Sequence, residues 1–216
     1  MSSTSATVSA PDRVYQHLKN RILTGALPGG EMTSESEIAA ALGVSRTPVR
    51  EALMRLQAES LVRIHPKRGV LIAPIAPGEA DDVFDARMLV EAHAARHVAA
   101  LPSGRRDVTL GRLRDLLDAQ ESAIADGDLE VYARRDADFH LTVISAGGNQ
   151  LLAGFAHSLR ERQQRLVAGG LARDTAHAAR FAIGHRELLA QLEAGDADGY
   201  VDLLEAHLEM AREVLA

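Results

Sequence analysis

Between Ser34 and Leu56 the chain reads as a helix, a one-glycine turn and a second helix, and this stretch limits the fold more than any other. Ser34 followed by Glu37 is a capping box, so a helix starts near residue 35. Ile38, Ala41 and Leu42 supply its apolar stripe, and Gly43 supplies a residue able to take positive φ at its end. Ser45 caps the next helix, and Pro48 falls in its first turn, where a missing N–H costs nothing. Val49, Leu53 and Leu56 recur at helical spacing and face inward. Arg46 and Arg50 then share the opposite face, with Thr47 nearby. Arginines at the exposed N-terminal end of a helix can grip a guanine edge or a phosphate, which is how a helix-turn-helix reads a DNA major groove. On spacing alone, an ordinary solvated face of a helical hairpin explains these residues equally well.

The segment after the second helix tips the balance. Leu61 to Ile64 and Val70 to Ile72 are short β-prone runs around His65-Pro66-Lys67-Arg68-Gly69, and so predict a hairpin with a basic tip. A hairpin in that place is the wing of a winged helix, whose tip lies on the DNA backbone or in the minor groove. Here the chain resembles the GntR family of bacterial transcription regulators. The resemblance is carried by Val14-Tyr15, by Ile22-Leu23-Thr24-Gly25, by Leu27-Pro28-Gly29-Gly30, by the run from Leu42 to Leu53, and by the wing ending at Gly69. It implies that Ser45, Arg46, Thr47 and Arg50 contact operator DNA, with His65, Lys67 and Arg68 on the wing. The family often carries a DNA-contacting arginine where this chain has Ser36, which puts more of the base readout on Arg46 and Arg50.

Charge divides along the chain as two functions would require. Residues 1–76 hold nine Lys/Arg against six Asp/Glu, a net of +3, which leaves −9 for the remainder of a chain whose total is −6. The local sign matters for nucleic acid, and it is positive where the helix-turn-helix lies. There is no cysteine, so disulfide staples and thiolate metal sites are excluded. No apolar run approaches a membrane span, and the first residues lack the basic start and apolar block of a secretion signal. The expectation is a soluble, cytoplasmic protein with a disordered tail over 1–11, a winged helix over 12–74, a linker over 75–78 and a second domain over 79–216.

That second domain has no strand signals. Apolar residues recur at helical spacing over about 79–101, 107–126, 129–146, 149–169, 173–194 and 197–215, each segment bounded by Gly, Pro or Asp-rich breaks. The fold class is therefore mainly α: a winged helix-turn-helix with a small β-hairpin, then an all-α bundle. Four polar residues stand in the apolar stripes of this bundle. Asp136 and His140 are one helical turn apart on a face continued by Val143 and Ile144. His185 heads a stripe with Leu188, Leu189 and Leu192, and His207 shares one with Leu203, Leu204, Leu208 and Ala211. Burying a carboxylate and three imidazoles without a shared partner is costly, and one divalent cation would satisfy all four. Taken singly, each histidine is better read as a separate, hydrogen-bonded core or surface residue.

Together, Asp136-x-x-Phe139-His140, Gly148-Asn149, His185, Gly195-Asp196 and His207 resemble the ligand-sensing FCD domain of FadR-type GntR regulators. The resemblance runs from about Glu79 to the C-terminus. It implies that Asp136, His140, His185 and His207 ligate a divalent metal (zinc, nickel, manganese or iron) and that a small carboxylate effector binds beside it. Asp138 is two positions from His140 and points to another helix face. His93 and His97 lack a matching set elsewhere, while His157, His177 and His17 read as ordinary residues. Two arginines also break apolar stripes, Arg87 between Val83 and Val90, and Arg162 after Leu159. A buried guanidinium holds a carboxylate bidentately, so both are candidates for the effector, with an Arg87–Glu91 ion pair as the alternative. Asn149 adds a hydrogen bond to the effector or caps a helix.

The leading expectation is a metabolite-responsive regulator that binds a pseudo-palindromic double-stranded operator as a homodimer, and not an enzyme. A metal-dependent hydrolase or lyase carrying a DNA-binding domain is the alternative, because an Asp/His₃ site with open positions can activate water. A regulator whose metal is purely structural is the third reading.

Overall fold

The computed structural model describes residues 9–171 and 175–215, and the chain divides into two compact units, Met1–Ile75 and Ala76–Ala216. Most of the tail expected over 1–11 lies outside the described residues, but its last part is ordered. Ser9 caps helix α1 (Ala10–Leu23) through its hydroxyl, which accepts from the Asp12 N–H, and Pro11 sits in the first turn.

In the first unit α1 is followed by β1 (Met32–Thr33), α2 (Glu35–Leu42), α3 (Arg46–Ala58), β2 (Val62–His65) and β3 (Gly69–Ile72). Ser34 accepts from the Glu37 N–H, and Gly43 closes α2 at φ 63°. Within α2 the buried pair is Ile38 and Ala39; Ala41, expected to face inward, is exposed. Val49, Leu53 and Leu56 of α3 are buried against Val14, Leu18 and Ile22 of α1, forming one apolar core with Val62, Val70 and Ile72 of the hairpin. The sheet order is β1-β3-β2, all antiparallel, with Ile64 opposite Val70 and Thr33 opposite Val70 on the other edge. Strand β1 was not foreseen, because two residues show no alternation and pair only through tertiary contact. It explains Gly69: at φ 110° a Cβ there would stand 2.6 Å from the Thr33 carbonyl oxygen.

The second unit is helical throughout its described residues: α4 (Glu79–Ala99), α5 (Ser103–Asp126), α6 (Leu129–Ala146), α7 (Gln150–Leu171), α8 (His177–Ala194) and α9 (Ala197–Leu215). Asp128 caps α6 by accepting from the Val131 N–H, and glycines in the left-handed region close α5 and α8. Helix α6 packs on α5 and α7, α4 on α9, and α8 on both α5 and α9. The core joins Phe84, Leu113, Tyr132, Phe139, Phe181, Leu188 and Tyr200 with many alanines, so helices approach closely where side chains are small. Gly147 marks a close approach to the α4 backbone, since a Cβ there would lie 2.8 Å from the Ala94 Cα and Cβ.

Two glycine replacements should therefore act with opposite sign. Gly147→Ala forces α6 away from α4 and should destabilise the protein by about 1–3 kcal/mol, as overpacking does. Gly111→Ala, in mid-helix α5 where a Cβ meets nothing within 4 Å, should stabilise it by about 0.5–1 kcal/mol. Urea unfolding of both variants measures the two signs.

Candidate metal centre and nucleic-acid interface

The α2–α3 pair displays its cations outward. The side chains of Arg46 and Arg50 are 66% and 70% exposed, while that of Glu35, on α2, is only 16% exposed and bonds to both. Arg46 Nη2 donates to one Glu35 oxygen at 3.0 Å and Arg50 Nε to the other at 3.2 Å. Thr47 is exposed beside them. Ser45 occupies the N-cap position of α3, but its side chain makes no cap hydrogen bond, contrary to the capping role expected of it. At the wing tip His65, Pro66, Lys67 and Arg68 are all exposed, and Lys67 sits at φ 62°, unusual for a residue with a Cβ. Glu35 is the residue missed at this surface; only its capping neighbours were read from the sequence.

In the helical unit three of the singled-out residues converge. His140 on α6, His185 on α8 and His207 on α9 each offer a ring nitrogen, and these atoms lie within 4.8 Å of one another. Asp136, one turn before His140, brings Oδ1 to 3.5 Å from His185 Nε2. All four are buried. The Asp136 Oδ2 atom accepts from Gln163 Nε2 of α7 at 2.6 Å. Asp138 turns away, its carboxylate paired with Arg160 at 2.7 Å and Arg135 at 3.4 Å.

The hydrogen-bond partners set the histidine tautomers. Gln120 of α5 donates its Nε2 to the Arg135 carbonyl, which turns Oε1 toward His185 Nδ1 at 2.7 Å. His185 must therefore donate from Nδ1. Glu91 of α4 likewise presents Oε1 to His140 Nδ1 at 2.8 Å while accepting from the Tyr200 hydroxyl at 2.6 Å. With both Nδ1 atoms carrying protons, the two Nε2 atoms face each other at 3.1 Å as bare lone pairs. A proton between them is disfavoured, because burial, reinforced by the Arg87 charge, holds both imidazoles well below the usual histidine range. His207 is depressed for the same first reason, with His140 adding to it. Burial pushes the Asp136 carboxyl up to about 6, against the opposing pull of Arg87 and of the Gln163 hydrogen bond.

Arg87 is buried, as the stripe argument expected, and its Nη2 meets Glu91 at 3.3 Å. Its Nε–H is buried without a hydrogen-bond partner. Arg162 was expected among the buried cations and is not. Its side chain is 51% exposed and donates to Glu79 at 3.0 Å, since at its place on α7 the neighbouring Gln163 takes the inward face. Asn149 is exposed and caps α7, its Oδ1 accepting from the Leu151 and Leu152 N–H groups, so its amide oxygen is spent on the helix. His93 and His97 lie side by side at the surface, with ring centroids 4.3 Å apart and planes tilted by 46°. Glu91, Gln120 and Gln163 were missed as parts of this centre. Gln120 breaks the stripe of Leu113, Leu117 and Ile124 as clearly as any histidine breaks its own, and that signal could have found it.

Residues 11–72 match the family model for bacterial regulatory proteins of the gntR family, and residues 82–210 match that of the FCD domain. An HTH-type transcriptional regulator from an unstable DNA locus of Streptomyces ambofaciens is 35% identical over 96% of this chain and 85% of its own. The gluconate operon transcriptional repressor of Bacillus subtilis is 29% identical over 62% of this chain and 54% of its own. A crystal structure described as that of a GntR transcriptional regulator from Rhodococcus sp. RHA1 superposes with a TM-score of 0.80 at 25% identity, covering 95% of this chain and 97% of that one.

Replacing Gln120 by leucine removes the acceptor that fixes His185 and leaves the buried His185 Nδ1–H without a partner. The loss should be about 1–3 kcal/mol of stability, the penalty for unsatisfied buried polar groups. Chemical denaturation of Gln120→Leu against wild type measures it.

Proposed function

From a chain that belongs to the GntR family of bacterial transcriptional regulators and carries an FCD domain, we infer a regulator whose DNA binding answers to a small organic acid held beside a divalent metal. Ser45, Arg46, Thr47 and Arg50 enter the major groove, while His65, Lys67 and Arg68 lie along the backbone from the wing. Asp136, His140, His185 and His207 would hold the metal, and imidazole with carboxylate suits zinc, nickel, manganese or iron. The observation that carries this reading is the pair of facing Nε2 lone pairs, 3.1 Å apart between two imidazoles held neutral. A cation turns that repulsion into attraction, and the donor set fits one. When bound, the metal supplies a Lewis-acidic charge to which a carboxylate can attach. Arg87 would take part of the same carboxylate through its unpartnered Nε–H.

A two-fold operator needs two reading heads, so the working form is a homodimer. In support, α4 and α7, which pack together, expose Leu89, Leu151 and Phe155 at 75%, 85% and 47%. Among the described residues no helix is long and apolar enough to cross a membrane, and a DNA reader works in the cytoplasm. The hydrolase or lyase alternative lacks a free general base. Glu91, the nearest additional carboxylate, is already occupied by Arg87, His140 and Tyr200.

Replacing Arg46 or Arg50 by alanine should cost about 1–3 kcal/mol of specific binding if each reads a guanine. Neutralising Lys67 and Arg68 should instead weaken binding to every sequence and flatten its salt dependence. Titrations on duplexes selected from a random pool test both, and unchanged affinity and selectivity in the two arginine variants would sink the assignment. Light scattering of the same samples reports the dimer.

Metal affinity should depend on pH through Asp136 before any histidine. Its carboxyl, raised to about 6, binds a proton below that pH which the metal must displace. The histidines, depressed well below their usual range, offer no competing proton until far more acid conditions. Affinity should be flat above about pH 7 and fall roughly tenfold per unit below about pH 6. Chelator competition between pH 5 and 8 measures the profile, and Asp136→Asn should abolish the slope. A slope that persists in Asp136→Asn would show that the histidines titrate first.

A further inference from the structure

The three imidazoles are not held alike. His140 and His185 are each tethered through Nδ1, to Glu91 at 2.8 Å and to Gln120 at 2.7 Å. The His207 Nδ1 is buried and has no hydrogen-bond partner. Partners of this kind fix ring orientation and strengthen a ligand, so His207 is the ring with least to stop it turning.

The same ring is the inner wall of a groove between α8 and α9. The groove has a volume of about 360 Å³ and is lined by Ile183 and Gly184 from one helix and by Leu203, Ala206, His207 and Met210 from the other. Arg180 and Glu187 complete the lining. Its walls are mainly apolar, and its volume equals about a dozen waters at ~30 Å³ each, enough for a small organic acid. Gly184 lies against the ring: a Cβ there would stand 2.7 Å from His207 Nδ1. The other members of the cluster are shut away, with His140 at 1%, His185 at 0% and Asp136 at 2% exposure, against 6% for His207. The least tethered ligand is thus the one that borders an open groove. These are two independent observations about one residue.

We propose that the α8–α9 groove is the port through which the metal and a small organic acid with an apolar flank exchange with solvent, and that His207 is its inner gate. Turning of the His207 imidazole opens the centre without breaking the bonds that hold His140 and His185. Ile183, Leu203, Ala206 and Met210 give the apolar flank a path, and Arg180 gives the carboxylate a cation on the way in. This rests on the metal reading above and specifies how that centre is reached.

The test is zinc exchange in the full-length protein, followed by stopped flow with a chromophoric chelator. Ala206→Trp and Ile183→Trp plug the groove from opposite walls at exposed positions outside the cluster. Val108→Trp, exposed on α5, is the control for an added indole. Each plug should slow zinc uptake and release at least tenfold by similar factors, leaving the equilibrium affinity and the control unchanged. If one plugged variant does not fold, the other decides. Wild-type rates in a folded plugged variant would overturn the port, as would a loss of affinity without slowing. A wild-type protein that takes up no zinc would instead sink the metal reading, and the port with it.

Discussion

The buried carboxylate of Glu91 is the interaction on which the helical unit is organised. It lies fully out of solvent and accepts from Arg87 on its own helix, from His140 on α6 and from Tyr200 on α9. Burial alone raises its pKa, and the neighbouring Arg87 charge is the largest force opposing that rise. Removing one partner of such a buried pair typically costs about 3–5 kcal/mol, because the survivor is left uncompensated. Arg87 therefore has two tasks: it pairs with the Glu91 carboxyl group that orients His140, and it keeps one N–H unspent. An Arg87→Ala variant is for that reason not a clean probe of effector binding, since it also loosens the carboxylate behind a ligand.

From Glu91 the polar network reaches every helix of the unit. Helix α4 contributes Glu91, α5 Gln120, α6 Asp136 and His140, α7 Gln163, α8 His185, and α9 both Tyr200 and His207. An apolar bundle of this size would be easier to stabilise with leucine at those places, because desolvating so many polar groups is costly. What the polar centre provides is a point where all six helices meet, so that one bound species would touch every one of them. An effector shifts a conformational equilibrium only through unequal affinity for its two states. A centre touching every helix offers that inequality wherever the helices differ between states.

Most of the architecture could be read because it follows from local chemistry. The cap at Ser34, the glycine end at Gly43, the Gly, Pro or Asp-rich breaks and the helical stripes marked the elements to within a few residues. The histidine cluster could be read because polar residues in apolar stripes are conspicuous. The errors share a cause as well. Arg162 breaks a stripe in sequence yet leaves the core, because a long side chain can snorkel to a surface carboxylate where histidine cannot. Asn149 was read as a helix cap or an effector contact, and its Oδ1 does cap α7. Ala41 is exposed because in this short helix Ala39, two residues earlier, does the packing. Gln120 carried a readable signal in its broken stripe, whereas the hold of Glu91 on His140 depends on which helices meet.

The two units use charge in opposite ways. At the centre of the helical unit the ions of Arg87, Glu91 and Asp136 are buried and costly to disturb. On the recognition helix α3 the ion pairs of Arg46 and Arg50 with Glu35 are largely exposed, and pairs of that kind are worth only about 0–1 kcal/mol. If Arg46 and Arg50 read DNA as proposed, Glu35 cannot hold them against it, since a bidentate guanine contact alone brings about 1–3 kcal/mol of discrimination. What it can do is keep two flexible guanidinium groups near one orientation, reducing the rotamer entropy lost when they dock. A weak pair is suited to that task, since a strong one would compete with the operator and an absent one would leave both arginines to be ordered by the DNA.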